Sequence, residues 1–348
     1  MKKTVCVIFG GRSSEYEVSL RSATSIISGI DREKYDTVLV GITKDGRWYH
    51  YKGDIESITN GSWAENKSFI ESVSISPSYG ERALILESGR RINIDLVFPA
   101  VHGENCEDGR LQGILESAGI PFVGSGSLAS AICMDKSVTK AILSGIGIPQ
   151  ARATVVFDAD RENGFDSALK MASELGYPVF VKPTSTGSSV GSSKANDPSE
   201  LIASIENALR YGKKALVEEF ISGKEVEIAV LGNNELKVSV CGEIDPGFEF
   251  YDYDTKYKND TASYHIPARI SPECSEKLRA LAERIYRTLG CRGLSRVDFF
   301  VCENERIVFN EINTLPGFTS ISMYPKLMTS DGTPFCDLVS ALIELATL

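Results

Sequence analysis

The stretch Val179-Phe-Val-Lys182-Pro-Thr-Ser-Thr-Gly187-Ser188-Ser189-Val-Gly191 joins a short apolar strand to a loop rich in glycine and serine. Lys182 stands at the strand end, where its ammonium group can neutralise a phosphate, while glycine lets the backbone approach closely and hydroxyls donate hydrogen bonds. The Walker A pattern G-x-x-x-x-G-K-[ST] is absent. Taken alone, the segment would fit a solvated flexible loop equally well.

A second segment carries oxygen donors on two predicted strands, 295–301 and 306–309. A hairpin of these strands would point Asp298, Glu311 and Asn313 the same way, because residues two apart on a strand share a face. Three hard oxygen donors on one face favour a magnesium site. In isolation, the polar outer face of an edge hairpin would be the better interpretation.

A third segment, Val217-Glu218-Glu-Phe220-Ile221-Ser-Gly-Lys-Glu225, is predicted to be a strand that runs into a turn with acids at both ends. An acid can bind ribose hydroxyls, and the main chain of an extended segment can bind the edge of an adenine ring. Alone this signal is weak, and an exposed, charged strand end explains it better.

The chain begins with the pattern of a strand, a glycine turn and a helix. Thr4–Phe9 is β-branched and apolar, Gly10 and Gly11 follow, and Ser14 and Glu17 have the spacing of a capping box. This spacing predicts that Glu15 lies in the first helical turn, near the positive end of the helix dipole.

Alternating strand and helix signals predict a parallel α/β unit in the first third of the chain. Residues 44–92 are hydrophilic and are predicted to form hairpins or insertions. A second α/β layer is predicted to start near residue 124, and residues 246–264, rich in aromatics, are predicted to form an ordered functional loop. With 348 residues, two or three domains are expected.

Composition excludes several classes of protein. There are 37 Lys and Arg residues against 47 Asp and Glu, a formal charge of -10, which disfavours a nucleic-acid or anionic-membrane surface. No apolar stretch approaches the length of a membrane span, and the eight cysteines include no C-x-x-C pair. We therefore expect a cytoplasmic protein that acts on small molecules, without nucleic-acid or membrane partners.

Together the motifs resemble the ATP-grasp superfamily, and within it the D-alanine:D-alanine ligase family. The resemblance covers nearly the whole chain, and several long motifs occur in the family's order. These motifs are G-G-x-S-x-E-x-E-V-S-L at 10–20, H-G-x-x-x-E-D-G-x-x-Q-G at 102–113, M-D-K at 134–136, K-P-x-x-x-G-S-S-x-G at 182–191, Y-D-Y-x-x-K-Y at 251–257, R-x-D at 296–298 and N-E-x-N-x-x-P-G at 310–317.

The resemblance implies an ATP-grasp fold of three α/β domains, α+β in the C-terminal part, which we expect at 1–123, 124–217 and 218–348. It also implies that ATP phosphorylates the carboxylate of a first D-alanine. The amine of a second D-amino acid then attacks the acyl phosphate, forming D-alanyl-D-alanine for peptidoglycan synthesis. Two Mg2+ ions, which Mn2+ could replace, and a homodimer are implied as well.

Individual roles follow from the resemblance at matching positions. The implied catalytic residues are Glu15, His102, Ser188, Tyr257, Arg296 and Gly317. The implied ATP-binding residues are Lys136, Lys182, Glu218, Phe220, Ile221, Glu225, Lys256 and Asn310. The implied metal ligands are Asp298, Glu311 and Asn313, and Ser322 and Met323 match positions beside the second substrate's carboxylate.

The second substrate stays open between D-alanine and D-serine. Residues 48–51 and 97–103 resemble ligases of the vancomycin-resistance type, which use D-serine, and Cys106 stands where the family usually has glycine. The aromatic run 250–253 and the apolar Met323 favour D-alanine, and Tyr257 argues against D-lactate. An apolar pocket rejects an added hydroxyl by only about a hundredfold, so the sequence does not decide.

Two other classes compete with a ligase. An oxidoreductase could use Gly10 and Gly11 in a dinucleotide-binding turn, but G-x-G-x-x-G is absent. An ATP-binding regulatory module would have lost phosphate or metal residues, yet Lys182, Arg296 and Asp298 are present.

Overall fold

The computed structural model describes residues 2–245 and 263–347, whose strands form three sheets. The first sheet has the order β6-β5-β4-β3-β2-β1-β7, parallel around β1 and antiparallel from β2 to β6. Its strands are β1 Lys3–Gly10, β2 Tyr35–Ile42, β3 Trp48–Tyr51, β4 Ile70–Ile75, β5 Ala83–Leu86, β6 Arg91–Asn93 and β7 Leu96–Val101.

Of the hairpins or insertions predicted for residues 44–92, the hairpins are confirmed, because β3 to β6 pair antiparallel in sequence order and continue the same sheet. The pattern of residues 121–123 also predicts a strand, but this segment forms only one isolated bridge, between Val97 and Phe122.

The second sheet is antiparallel, with the order β10-β9-β11-β8. Helix Pro198–Ala208 packs on it. The Asp197-Pro198 pair has the pattern of a helix start, and Asp197 Oδ1 accepts hydrogen bonds from the backbone of Ser199 and Glu200. The strands are β8 Ala153–Phe157, β9 Val179–Pro183, β10 Ser193–Ala195 and β11 Lys214–Glu219.

The third sheet is antiparallel, with the order β15-β14-β12-β16-β17 and β13 paired to β12. Helix Pro272–Thr288 buries Leu278, Ala282 and Ile285 against this sheet. The strands are β12 Lys224–Gly232, β13 Leu236–Val238, β14 Gly242–Asp245, β15 Ser263–His265, β16 Gly293–Val301 and β17 Ile307–Asn313.

The remaining helices connect and cover the sheets. The pattern around residues 134–143 predicts a helix, which the structure confirms as Lys136–Gly145. A separate helix, Ser127–Met134, ends just before it, and the Asp135 carboxylate caps the second helix. No helix in the described ranges has both the length and the apolarity needed to cross a bilayer. Besides those given above, the helices are Tyr16–Gly29, Ile55–Thr59, Arg110–Ala118, Ser127–Met134, Lys136–Gly145, Asp166–Leu175, Met323–Thr329 and Phe335–Leu345, with 3-10 turns at Lys67–Phe69 and Asp158–Asn163.

A shared apolar core joins the first and third sheets of this mixed α/β structure, whereas the second sheet has a core of its own. Phe98 of the first sheet shares a core with Phe318 and Met323 from the C-terminal region, whereas Cys133 and Leu143 pack with the core of the third sheet. The domain boundaries at residues 123 and 217 stay a prediction.

Candidate active site

A cleft of about 670 Å³ lies between the second and third sheets. Strand β9 and strand β11 contribute Lys182 and Glu218 to its walls, and the hairpin of β16 and β17 contributes Asp298 and Glu311. The three segments singled out in the sequence therefore meet at this cleft, because each of them contains a strand of one of the two sheets that border it.

Lysine side chains form pairs with carboxylates on one side of the cleft. Lys182 Nζ lies 2.7 Å from Glu218 Oε2, and Lys140 Nζ lies 2.7 Å from Glu218 Oε1. Lys136 Nζ lies 3.2 Å from Glu311 Oε2 and donates a 2.8 Å hydrogen bond to the carbonyl of Thr186. The cleft thus concentrates ammonium groups beside the glycine- and serine-rich loop.

Glu218 is almost completely buried. Burial acts to raise the pKa of its carboxyl, but the charges of Lys182 and Lys140 outweigh burial, and the pKa is lowered overall. The carboxylate is therefore ionised at neutral pH, so its charge must be counted in the electrostatics of the site.

The hairpin places its oxygen donors as predicted. Asp298 lies directly opposite Glu311, and the register then shifts so that Phe299 faces Phe309. Asn310 is the extra residue of this bulge, which lets both it and Glu311 line the cleft, although adjacent residues of a regular strand point to opposite faces. Lys182 Nζ lies 3.3 Å from Asn310 Oδ1.

Arg296 is held between two carboxylates. Its Nε and Nη2 donate hydrogen bonds of 2.8 and 2.7 Å to the two oxygens of Asp298, and Nε lies 3.0 Å from Glu227 Oε2. Burial acts to lower the pKa of Arg296, but the charges of Asp298 and Glu227 raise it well above its usual value. The guanidinium therefore stays charged inside the cleft.

Sequence reasoning missed Glu227. It lies on β12 directly opposite Asp298, which itself faces Glu311, so three carboxylates form a row across three strands. A signal was present in the sequence, because Glu225 and Glu227 are two apart and would share a face of any strand that contains both.

Glu15 connects the first sheet to the glycine- and serine-rich loop at residues 184–191, which we call the phosphate loop. Ser188 Oγ donates a 2.5 Å hydrogen bond to Glu15 Oε1. A Cβ atom on Gly187 would lie 2.7 Å from Glu15 Oε2, and one on Gly103 would lie 2.8 Å from it. The backbone therefore approaches this carboxylate closely at both glycines.

The predicted capping box is wrong. Helix Tyr16–Gly29 begins one residue later than expected, with Glu15 at the N-cap position and no side-chain cap. Ser13 Oγ, not Ser14, accepts a hydrogen bond from the Glu15 backbone. The Glu15 carboxylate is directed to Ser188 instead of to its own helix.

His102 is buried at the junction of the first sheet and the C-terminal loop. Nδ1 lies 3.0 Å from the carbonyl of Leu315 and 3.4 Å from Glu107 Oε1, and Nε2 lies 2.9 Å from Ser22 Oγ. Ser22 Oγ also accepts a 3.0 Å hydrogen bond from the backbone of Phe318. Burial acts to lower the pKa of His102, but Glu107 outweighs it and the pKa is raised.

Cys106 is buried beside Gly11. Burial raises the pKa of its thiol well above the usual value, so the thiol is neutral at physiological pH. Cys106 is therefore an inert packed side chain near the site.

The two residues predicted near the second substrate have different surroundings. Ser322 Oγ lies 2.8 Å from Thr319 Oγ1, and a Cβ atom on Gly317 would lie 2.8 Å from Ser322 Oγ. Met323 is 2% exposed and packs in the core, where a Cβ atom on Gly242 would lie 3.0 Å from its sulfur.

Phe220, Ile221 and Glu225, which are predicted to bind ATP, all line the cleft. Lys194 Nζ lies 4.6 Å from the centroid of the Phe220 ring. Lys256 and Tyr257 lie outside the described residues.

The predicted metal ligands suit a divalent cation in their chemistry. Within residues 2–245 and 263–347, no group of three or more His, Cys, Asp and Glu side chains is arranged to hold a metal ion. The predicted set is of a different kind, because its third member, Asn313, offers an amide oxygen. Asp298 and Glu311 face each other, with Asn313 two residues along the same strand. Their negative charge is balanced here by Arg296 and Lys136.

A glycine-rich loop, clustered lysines and oxygen donors in a cleft between two antiparallel sheets define an ATP-grasp enzyme. The family models described as D-ala D-ala ligase N-terminus and D-ala D-ala ligase C-terminus match residues 4–125 and 142–344. The chain belongs to the D-alanine–D-alanine ligase family.

Individual relatives agree with this assignment. The chain is 46% identical to a D-alanine–D-alanine ligase of Caldicellulosiruptor bescii over 99% of this chain and 95% of the relative. It is also 46% identical to one of Clostridium novyi, over 99% and 98%.

Solved structures show the same fold. The VanG D-Ala:D-Ser ligase from Enterococcus faecalis has a TM-score of 0.91 at 42% identity, covering 99% of this chain and 100% of that one. The D-alanine-D-alanine ligase from Coxiella burnetii has a TM-score of 0.86 at 34% identity, covering 99% and 95%. The oxidoreductase alternative is left without support.

Proposed function

We propose that the protein ligates two D-alanines to D-alanyl-D-alanine, driven by ATP through an acyl-phosphate intermediate. The observation that supports this is the bond between Glu15 and Ser188, which brings an amino-acid-binding carboxylate to the loop beside Lys182. A carboxylate suits the ammonium group of a D-amino acid, and the lysine suits the phosphates of ATP. Activation is needed because a free carboxylate is a poor electrophile.

Each charged side chain has a task in this reaction. Lys136 and Lys182 bind the phosphates of ATP and hold them in the cleft. Arg296 offers a planar set of donors to the transferred phosphoryl group and to the oxyanion that develops when the amine attacks. The backbone N–H of Gly317 donates to the same oxyanion.

Asp298, Glu311 and Asn313 would hold two magnesium ions, which supply positive charge to the phosphates of ATP when bound. His102, joined to Ser22 and to the carbonyl of Leu315, holds the loop that carries Gly317 against the first substrate. We further propose that the enzyme is a cytoplasmic homodimer and that its domain boundaries lie at residues 123 and 217.

D-serine is the alternative second substrate. The similarity to VanG favours it, since that protein is a D-Ala:D-Ser ligase, while the names of relatives 46% identical favour D-alanine. Because Met323 packs in the core, it offers less support for D-alanine than its apolar character alone indicates.

The test is phosphate release from Mg-ATP with D-alanine alone and then with D-alanine plus excess D-serine, identifying the dipeptides by mass. We expect mainly D-alanyl-D-alanine in both mixtures. Mainly D-alanyl-D-serine in the second mixture would establish the alternative. Release of phosphate without any dipeptide would contradict both.

A further inference from the structure

Lys140 is a buried lysine that the reaction described above does not use. It is 9% exposed, and within the described residues it lies behind Glu218, outside the lining of the cleft. Its Nζ is 2.7 Å from Glu218 Oε1, while the other oxygen of the same carboxylate pairs with Lys182 at 2.7 Å. One carboxylate is thus shared by two ammonium groups, and only one of these, Lys182, reaches the cleft wall.

The charges of Lys140, Lys182 and Glu218 do not cancel. Two ammonium groups and one carboxylate leave one net positive charge. Without Lys140, Lys182 and Glu218 would form a neutral buried pair, and a phosphate in the cleft would meet little net charge from them. Stability alone does not call for Lys140, because one lysine is enough to balance Glu218 and burying a second ammonium group is costly.

We propose that Lys140 is a positioning residue that compensates Glu218, so that Lys182 presents an uncancelled positive charge to the phosphate groups of the nucleotide. Lys140 itself does not touch the ligand. The inference rests on the proposed function only in taking the ligand of Lys182 to be the phosphates of ATP.

The electrostatics of Lys140 agree with this role. Burial lowers the pKa of its ammonium group, Glu218 acts to raise it, and Lys182 acts to lower it again; the pKa is lowered overall. The protein thus retains a lysine at a position where its charge is disfavoured, which is expected when that charge is required.

The experiment measures the affinity of inorganic tripolyphosphate by calorimetry near neutral pH, below the melting temperature of every variant. Lys140→Met should bind it about tenfold more weakly, because one unit charge near the ligand is lost, and Lys140→Arg should stay within about twofold of wild type. The double variant Lys140→Met with Glu218→Gln restores one net charge. It should recover most of the lost affinity.

Lys214→Met is the matched control. Lys214 pairs with Asp135, the cap of the helix that carries Lys140, so this variant also removes a lysine–carboxylate pair from the same helix without touching Glu218. It should bind tripolyphosphate as wild type does.

Wild-type affinity in Lys140→Met would overturn the inference while leaving the proposed function intact. A double variant that binds tripolyphosphate no better than Lys140→Met would also overturn the inference. If Lys140 were purely structural, the affinity would not depend on the net charge of Lys140, Lys182 and Glu218. Should Lys140→Met fail to fold, the double variant decides alone, because it carries the same single net positive charge as wild type, on Lys182, and must bind tripolyphosphate near the wild-type level. Failure of wild type to bind tripolyphosphate would overturn the inference and count against the phosphate site itself.

Discussion

Ser188 Oγ donates a 2.5 Å hydrogen bond to Glu15 Oε1, joining residues 173 positions apart in the chain. The φ of Ser188 is 52°, in the left-handed region, so the loop holds a serine in a conformation that favours glycine. This bond couples the amino-acid side of the site to the phosphate loop.

Removing the Ser188 hydroxyl should therefore weaken the use of D-alanine. In Ser188→Ala, we expect kcat/KM for the first D-alanine to fall about 10- to 100-fold, the loss expected for a hydrogen bond to a charged group. Steady-state kinetics at saturating ATP measure this. Ser188→Gly is the control, because it relieves the left-handed backbone but also lacks the hydroxyl. Recovery of activity in the glycine variant would show that backbone conformation, not the hydroxyl, matters.

Arg296 should matter for turnover more than for binding. In Arg296→Ala, kcat should fall at least about 100-fold, because donors aimed at developing charge are lost, while the Kd for ATP changes much less. Glu227→Gln is the companion variant, since it keeps the guanidinium and alters its anchor at 3.0 Å. We expect about a tenfold loss in kcat for it. Nearly intact dipeptide synthesis in Arg296→Ala would refute the role assigned to Arg296.

Dipeptide synthesis should require a divalent metal ion bound by the carboxylates of the β16–β17 hairpin. Treatment with EDTA should abolish dipeptide synthesis, and Glu311→Gln should raise the Mg2+ concentration for half-maximal rate by about tenfold or more. Glu283→Gln, which removes an exposed partner of Arg287, is the control. An unchanged Mg2+ requirement in Glu311→Gln would exclude this residue as a ligand.

The sequence predicted the shared face of the hairpin, because residues two apart on a strand point the same way whatever surrounds them. It did not predict the bulge at Asn310, since a register shift depends on the partner strand. The capping box failed for a similar reason: the partner of Glu15 is far away in sequence. Lys140 and Glu227 escaped notice because their importance lies in the residues they neutralise, which only tertiary structure brings near.

His102 should make stability depend on pH. Its folded pKa is raised above the ordinary value of 6.5 by Glu107 despite burial, so its stabilising contribution is complete below that value and is lost as pH rises through the folded pKa. The deficit in unfolding free energy of His102→Gln relative to wild type should therefore shrink from pH 6 to pH 9, measured by urea denaturation.

His50 provides a control of opposite sign. Burial, with Lys52 and Arg90, lowers the pKa of His50, so its contribution increases as pH rises. The stability difference between His50→Gln and wild type should move in the opposite direction to that of His102→Gln. If the two variants changed in parallel with pH, the opposite directions assigned to the pKa values of His102 and His50 would be wrong.

The variant Gly103→Ala tests whether close packing around the Glu15 carboxylate is needed to bind the first D-alanine. The φ of Gly103 is 76°, and a Cβ atom there would lie 2.3 Å from Ser13 Oγ and 2.8 Å from Glu15 Oε2. Gly103→Ala should therefore displace both side chains and raise KM for the first D-alanine about tenfold or more. Gly147→Ala is matched in backbone strain, with a φ of 71°, but its Cβ atom would meet nothing within 4 Å. That control should lose about 1 kcal/mol of stability and keep wild-type kinetics, because it carries the strain without the contact. Equal KM values in the two variants would mean that strain alone disturbs the enzyme and that contact with Glu15 is irrelevant.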